Sequence, residues 1–300
     1  MFRAGQKPEA LTGKGKGGNS ARKGDRLGEW LLESRIGAGT FGEVWKARHH
    51  VWGDDHVAVK IPTDPQYLRA LRREGITAHH LDHPAIVRPI GFDPFAQRPY
   101  LVMEFVDGDD LRTYLQKHGK LSVAETVDIL GRVLQGLGYA HEKGVLHRDV
   151  KPENVLLHHT WAFDPAAADE PGLVKLTDFG LGKAESSLLK NKAGGSIVFS
   201  NDENTASQAI TGSLDYMAPE QRAGGAVDHR ADLYACGVML FELLTGERPA
   251  GTDLPSDLVQ GVPAHIDEAF RRSYARVDRR FSSAAEFLDA LRLPGRLQPS

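Results

Sequence analysis

A chain of 300 residues that is 41% apolar can bury a core of its own, and its single cysteine, Cys236, excludes an internal disulfide framework. Its 37 Lys and Arg nearly balance 40 Asp and Glu, for a net charge of −3, so a nucleic-acid reading would rest on the N-terminal tail alone. No apolar stretch reaches the length of a spanning helix, since the nearest, Tyr234 to Leu244, is interrupted by Glu242.

Residues 1–27 are rich in Gly and Lys, and over the first 24 of them Arg3, Lys7, Lys14, Lys16, Arg22 and Lys23 face one acid, Glu9. Such a composition buries too little apolar surface to offset ordering entropy, so a disordered tail is expected. Its scattered charges lack interleaved aromatics, and no nucleic-acid or membrane partner is expected. The opening stretch has no apolar run of the signal-peptide kind, so the expected location is cytoplasmic.

From Glu29 the pattern changes to short β-rich runs. WLLESRI leads into Gly37-Ala38-Gly39-Thr40-Phe41-Gly42, then EVWKARH, a turn around Gly53, and HVAVKIP with Lys60 near its end. The spacing predicts strand, glycine turn, strand, turn, strand. The same glycine spacing serves dinucleotide folds, where it must open a helix; here Val44 and Lys46 alternate as in a strand. Glycines without a Cβ let a backbone lie close over phosphates.

A helix is predicted from Pro65 to Leu81 with Glu74 inside it. Gly75 should weaken that helix by about 1 kcal/mol relative to alanine, a hint of mobility. Strands are predicted over Ile86–Phe92 and Tyr100–Val106. Ser122 and Glu125 form a capping box ahead of a long helix with Val123, Val127, Leu130, Leu134 and Leu137 on one face. That helix delivers the chain to His147-Arg148-Asp149-Val150-Lys151-Pro152-Glu153-Asn154.

The segment 158–173 reads as a loop, punctuated by Asp164-Pro165, Pro171 and Gly172. Next comes Asp178-Phe179-Gly180, and the stretch 178–220 is rich in Ser, Thr, Asn and Gly before it ends in Met217-Ala218-Pro219-Glu220. Asp232 begins an apolar helix. Adjacent histidines recur at His49-His50, His79-His80 and His158-His159; neighbours on a strand or helix face apart, so no shared ion is expected.

HRDVKPEN followed by DFG and APE, behind a glycine loop and VAVK, resembles the eukaryotic-type protein kinases. RREGITAHHLDHPAIV is similar to bacterial Ser/Thr kinases in particular, and the likeness runs over about residues 28–292. The resemblance implies an α+β, two-lobed protein kinase fold. A small antiparallel β N-lobe with one helix and the hinge would occupy 28–106, a larger, mainly helical C-lobe 107–292, and a C-terminal tail 293–300. Within the C-lobe, 158–173 would be a surface insertion and 178–220 the activation segment.

The resemblance also implies roles. Asp149 would orient the acceptor hydroxyl, Lys151 steady the moving phosphoryl group, and Asn154 and Asp178 hold Mg2+, with Mn2+ as an alternative. Lys60, paired with Glu74, would place the phosphates of ATP. Gly37, Gly39 and Gly42 would cover the nucleotide, Val44, Ala58 and Leu156 sandwich its ring, Met103 act as gatekeeper, and the backbones of Glu104 and Val106 meet adenine. His147, Arg148, Phe179, Gly180, Glu220, Asp232 and Arg280 would be structural, with Arg280 paired to Glu220. Arg148 would leave a basic pocket for an activation-segment phosphate, for which Thr205, Ser207 and Thr211 are candidates.

Ser213 stands in the substrate-binding loop where Ser/Thr kinases usually carry threonine. The region after Gly246 is short and Pro-rich, so the family's docking habits do not carry over. The function implied is Ser/Thr protein phosphorylation with Mg-ATP, including autophosphorylation, on protein substrates the sequence does not name. The alternative, a pseudokinase serving as a nucleotide-binding scaffold, is expected to lack one of Lys60, Asp149, Asn154 or Asp178, and all four are present. A small-molecule phosphotransferase seldom has the APE segment.

Overall fold

The β-rich first third folds into a six-stranded antiparallel sheet in the computed structural model, which describes residues 21–39, 42–53, 55–63, 67–161, 173–179 and 214–292. The strands are β1 (Arg26–Leu27), β2 (Trp30–Gly39), β3 (Gly42–His49), β4 (His56–Ile61), β5 (Pro89–Asp93) and β6 (Tyr100–Glu104), in the order β1-β2-β3-β4-β6-β5. Strand pleating sorts β4 by parity. Val57, Val59 and Ile61 join Leu32, Trp45 and Val102 in one apolar cluster, while Ala58 joins Leu71, Leu101 and Met103 in another. Lys60 shares the parity of Ala58 and is buried on that second face.

Helix α1 (Leu68–His79) packs against β5 and β6, with Leu71, Glu74 and Gly75 buried and Arg69, Arg72, Arg73 and Ile76 exposed. A Cβ on Gly75 would sit 3.3 Å from Leu101 Cδ1. This glycine therefore has a packing reason, close approach of helix to sheet, beside the mobility its propensity suggests. Gly42 has one as well, because a Cβ there would lie 2.3 Å from the Ile61 carbonyl oxygen.

Several boundaries differ from expectation, the strands expected over Ile86–Phe92 and Tyr100–Val106 running Pro89–Asp93 and Tyr100–Glu104. Residues 21–27, assigned to the tail, belong to the sheet lobe: Ala21 and Leu27 are buried, Arg26 pairs with Leu31, and Arg98 Nη1 reaches Asp25 Oδ2 at 2.6 Å. Two apolar contacts and a strand pairing outweigh a polar composition there. The helix expected from Pro65 to Leu81 spans Leu68–His79.

The second lobe begins with β7 (Gly108–Asp110), which pairs with β8 (Val155–His158) and through it with β9 (Val174–Leu176). Its helices are α2 (Leu111–His118), α3 (Val123–Glu142), α4 (Pro219–Arg222), α5 (Arg230–Thr245), α6 (Pro255–Leu258), α7 (Ala264–Ser273) and α8 (Ala284–Leu291). Asp110 caps α2 by accepting from Thr113 N at 2.9 Å, and the Ser122–Glu125 capping box opens α3. Every residue of α5 from Ala231 to Leu244 is buried, so this helix is the axis around which α3, α6 and α7 pack. Among the described residues no helix is long and apolar enough to cross a membrane.

The lobes are stitched behind the cleft. Val87 N donates to Leu176 O at 2.9 Å and Leu176 N to Ala85 O at 2.8 Å, joining the segment after α1 to β9.

Candidate active site

The loop between α3 and β8 carries Asp149, Lys151 and Asn154, and its shape comes from hydrogen bonds that the loop makes with itself. The Asn154 carboxamide Nδ2 donates to Asp149 O at 2.7 Å and to Asp149 Oδ2 at 3.1 Å. Lys151 Nζ lies 2.8 Å from the same Oδ2. Two donors therefore converge on Oδ2, while Asp149 Oδ1 has no hydrogen bond among the described residues and remains available as an acceptor. Since Nδ2 is committed, Oδ1 is the Asn154 atom left to accept.

Asp178 enters from the end of β9, held to this loop by Thr177 N donating to Asn154 O at 2.9 Å. Its Oδ1 accepts from Lys60 Nζ at 2.8 Å, and the same ammonium lies 3.0 Å from each Glu74 oxygen. Three parts of the chain, β4, α1 and the segment just after β9, thus meet at one buried cation. Burial alone would lower the Lys60 pKa, but the facing carboxylates of Asp178 and Glu74 outweigh it and hold the lysine charged. Burial pushes the Glu74 carboxyl up to about 8, with Lys60 opposing and Asp178 adding to the rise. The Asp178 carboxyl is kept below its ordinary value because Lys60 overcomes desolvation.

Both Arg148 and Asp178 have left-handed backbones, with φ 69° and 67°, and are the only non-glycine residues described with positive φ. For a branched or long side chain this conformation is strained and needs external support. Asp232, at the start of α5, supplies it for the first. Its carboxylate accepts from His147 N at 2.9 Å, Arg148 N at 2.7 Å and His141 Nε2 at 2.8 Å. Burial would raise the Asp232 carboxyl, yet these donors bring it below its ordinary value. His147 Nδ1 accepts from Asp149 N at 3.3 Å, which leaves Nε2 to donate to Thr177 O at 2.8 Å, and its ring packs on Phe179 at 4.6 Å. The Arg148 guanidinium has no partner among the described residues.

Above this polar floor, Ala58 and Met103 are buried and Val44, Val106 and Leu156 pack against them in a single apolar cluster. At the lobe junction Glu104 N donates to Arg88 O at 2.9 Å, so only its carbonyl is left to face a ligand, whereas the Val106 backbone makes no hydrogen bond among the described residues. The β2–β3 pairing runs on as far as Gly39 and Gly42, which are register partners. Arg280 donates to both Glu220 oxygens, at 2.6 and 2.9 Å. Gly180, Thr205, Ser207, Thr211 and Ser213 lie outside the described residues.

Some contributors were not singled out in the sequence. Glu242 registered only as a charge in an apolar helix; folded, it is buried and receives Arg112 Nη1 at 2.8 Å and the Tyr216 hydroxyl. A lone acid inside an apolar helix was the available signal. His141 and Gln221 had none, since their partners are distant in the chain.

The histidine pairs depart from expectation at one place. β3 ends at His49, so strand alternation stops there, and Glu29, His49 and His50 bring potential ligand atoms within 4.8 Å of one another. His49 Nδ1 accepts from Val51 N and Trp52 N, both at 3.2 Å, which puts its proton on the Nε2 that faces Glu29. That nitrogen has no lone pair to offer a cation, so the cluster reads as imidazole donors around a carboxylate. The insertion assigned to 158–173 also begins later on the surface than expected. His158 closes β8, and Trp161 is buried with its Nε1 donating to Asp128 Oδ2 at 2.9 Å.

The pattern of the protein kinase domain matches residues 30–291. The serine/threonine-protein kinase PrkC of Bacillus subtilis (strain 168) is 34% identical over 227 residues, covering 74% of this chain and 31% of that protein. PknB of Mycobacterium tuberculosis (strain ATCC 25618 / H37Rv), also a serine/threonine-protein kinase, is 32% identical over 276 residues, or 84% of this chain and 40% of that protein. The chain thus spans between 31% and 40% of the length of these two relatives. The crystal structure of Rad53 1-466 in complex with AMP-PNP aligns with a TM-score of 0.64 at 26% identity, covering 87% of this chain and 64% of that one. With a match that takes in both lobes and every element of the site just described, the chain belongs to the protein kinase domain family.

Proposed function

We propose that this chain is the catalytic part of a serine/threonine protein kinase, transferring the γ-phosphoryl group of Mg-ATP to Ser or Thr hydroxyls of proteins. The observation that carries the reading is the simultaneous bonding of Lys60 to Glu74 and Asp178, which joins the sheet lobe, its helix and the metal-ligand candidate in one arrangement. The names of the similar proteins support the Ser/Thr class, as does Lys151 in HRDVKPEN.

Asn154 and Asp178 fit a hard divalent cation. Both offer oxygens, and in each the competing interaction is already placed elsewhere: Asn154 Nδ2 on Asp149, Asp178 Oδ1 on Lys60. Bound there, Mg2+ would neutralise charge on the phosphate oxygens. The protein's own residues would do the rest. Lys60 would hold phosphate oxygens at the roof, Asp149 Oδ1 would accept the hydrogen bond of the attacking hydroxyl, and Lys151 would face the transferring group. Val44, Ala58, Met103 and Leu156 would enclose the adenine, with hydrogen bonds from the Glu104 carbonyl and the Val106 amide. On this reading the lobes divide after Val106, and the protein acts in the cytoplasm.

Arg148 supports a regulatory step. Arg148 directly precedes Asp149 and its guanidinium has no partner among the described residues, and a phosphate on the hydroxyl-rich stretch between Ser186 and Ser213 would supply one. Thr205, Ser207 and Thr211 are the first candidates. Incubation of the purified chain with labelled ATP and Mg2+, with and without a generic protein substrate, tests the whole reading. Transfer by wild type and none by Asp149→Ala is expected; equal transfer by both overturns it. Peptide mapping that finds no phosphate between Ser186 and Ser213 overturns the regulatory step.

A further inference from the structure

Gln221 is the third residue of α4 and lies in the sequence Ala218-Pro219-Glu220-Gln221. Its carboxamide joins two backbone groups that are far apart in the chain. Oε1 accepts from Ala218 N at 3.0 Å, and Nε2 donates to Arg148 O at 3.2 Å. An amide N–H can only donate and a carbonyl can only accept, so the two partners together leave one orientation of the carboxamide. The carbonyl it reaches belongs to the left-handed residue immediately before Asp149. Arg148 is consequently held from both sides, its N–H by Asp232 Oδ1 at 2.7 Å and its C=O by Gln221.

The neighbours of Gln221 on α4 have other tasks. Glu220 is taken by Arg280, and Arg222 Nη2 donates to Leu214 O at 2.6 Å. Among the described residues, only Gln221 hydrogen-bonds α4 to the loop that carries Asp149.

We propose that Gln221 is a positioning residue for phosphoryl transfer: together with Asp232 it secures the left-handed Arg148 backbone that aims the Asp149 carboxylate, and it ties that aim to the folded end of the activation segment. The inference rests on the kinase reading above. It predicts a loss in the chemical step and not in nucleotide binding, because the hydrogen bonds of the Gln221 carboxamide among the described residues go to the Ala218 and Arg148 backbones and none goes to a residue of the apolar cluster that would receive adenine.

The test uses the full chain and single-turnover transfer from Mg-ATP to a generic protein substrate, with nucleotide affinity and Tm measured on the same preparations. Gln221→Met keeps the length of the side chain and removes both hydrogen bonds. Its transfer rate should fall about tenfold, with affinity and Tm close to wild type. Gln221→Glu still accepts from Ala218 N but sets a carboxylate against the Arg148 carbonyl. Its rate relative to wild type should be low at about pH 8 and rise towards about pH 5, where a protonated carboxyl can donate again.

A wild-type rate in Gln221→Met, in an active wild-type background, overturns the inference and leaves the kinase reading standing. So does a loss that lies in nucleotide affinity, or one that follows a fallen Tm while the Gln221→Glu ratio stays flat with pH. A wild-type chain that binds nucleotide and transfers nothing overturns the kinase reading and the inference with it.

Discussion

Lys60 Nζ stands 3.0 Å from both carboxylate oxygens of Glu74, a strand residue and a helix residue that share a buried face of the sheet lobe. The pair exists only while α1 lies against β5 and β6, so it reports the position of that helix. Lys60→Met should reduce phosphoryl transfer about 10²-fold or more through misplaced phosphates. Steady-state transfer from labelled ATP, with circular dichroism to confirm folding, measures this; a variant within about twofold of wild type would show that Lys60 does not place the phosphates.

Glu74 also makes a prediction about pH. Its carboxyl is raised from an ordinary 4.5 to about 8 in the folded chain. Between those values the native state holds a proton that the unfolded state has lost. The contribution to stability is therefore full below about 4.5 and lost as pH rises through about 8. Tm measured across that window should decline less steeply for Glu74→Gln than for wild type. Parallel profiles would rule out a proton uptake at Glu74.

Asp232 receives three N–H donors in a fully buried setting. Asp232→Asn keeps the shape but turns an amide N–H towards at least one of them, and should lower stability by about 2–4 kcal/mol. Because two of the three donors are the backbone amides of His147 and Arg148, transfer should fall as well, even at temperatures where the variant is folded. Urea unfolding and a transfer assay on the same sample check both; an Asp232→Asn protein with wild-type unfolding midpoint and rate refutes the role of this carboxylate.

Arg280 is entirely buried and grips both oxygens of Glu220. Truncating it in Arg280→Ala strands the Glu220 carboxylate, and a cost of about 3–5 kcal/mol is expected. The double variant Arg280→Ala with Glu220→Gln should recover part of that, since the orphaned charge is gone. Simple additivity of the two losses in denaturant unfolding would contradict a direct pair.

Much of the site was legible before folding because its residues are local in sequence. His147, Asp149, Lys151 and Asn154 lie within one loop, whose order of residue types is specific, and Lys60 lies near the end of an alternating strand that pleating alone sends to a definite face. The two-lobed architecture followed from the same motifs, and the Ser122–Glu125 capping box from a local rule.

Elsewhere long-range contacts overrule local patterns. Residues 21–27 are polar in composition yet join the sheet through Ala21, Leu27 and the Asp25–Arg98 pair. Gly75 and Gly42 looked like matters of flexibility and ligand access, and both are also demanded by neighbours a Cβ would crowd. Trp161 sat in a segment assigned to the surface and is held in the core by Asp128 on α3.

By itself the sequence determined which side chains of the proposed phosphoryl-transfer site are present, and in what order, because motif spacing and strand alternation act over a few residues. Only the tertiary structure decided that the Lys60 ammonium meets Glu74 and Asp178 at once, and that Arg148 is clamped between Asp232 and Gln221. Those contacts join residues from separate elements. Their geometry is set by how α1 and α5 pack against the sheet and the loop, which no local pattern encodes.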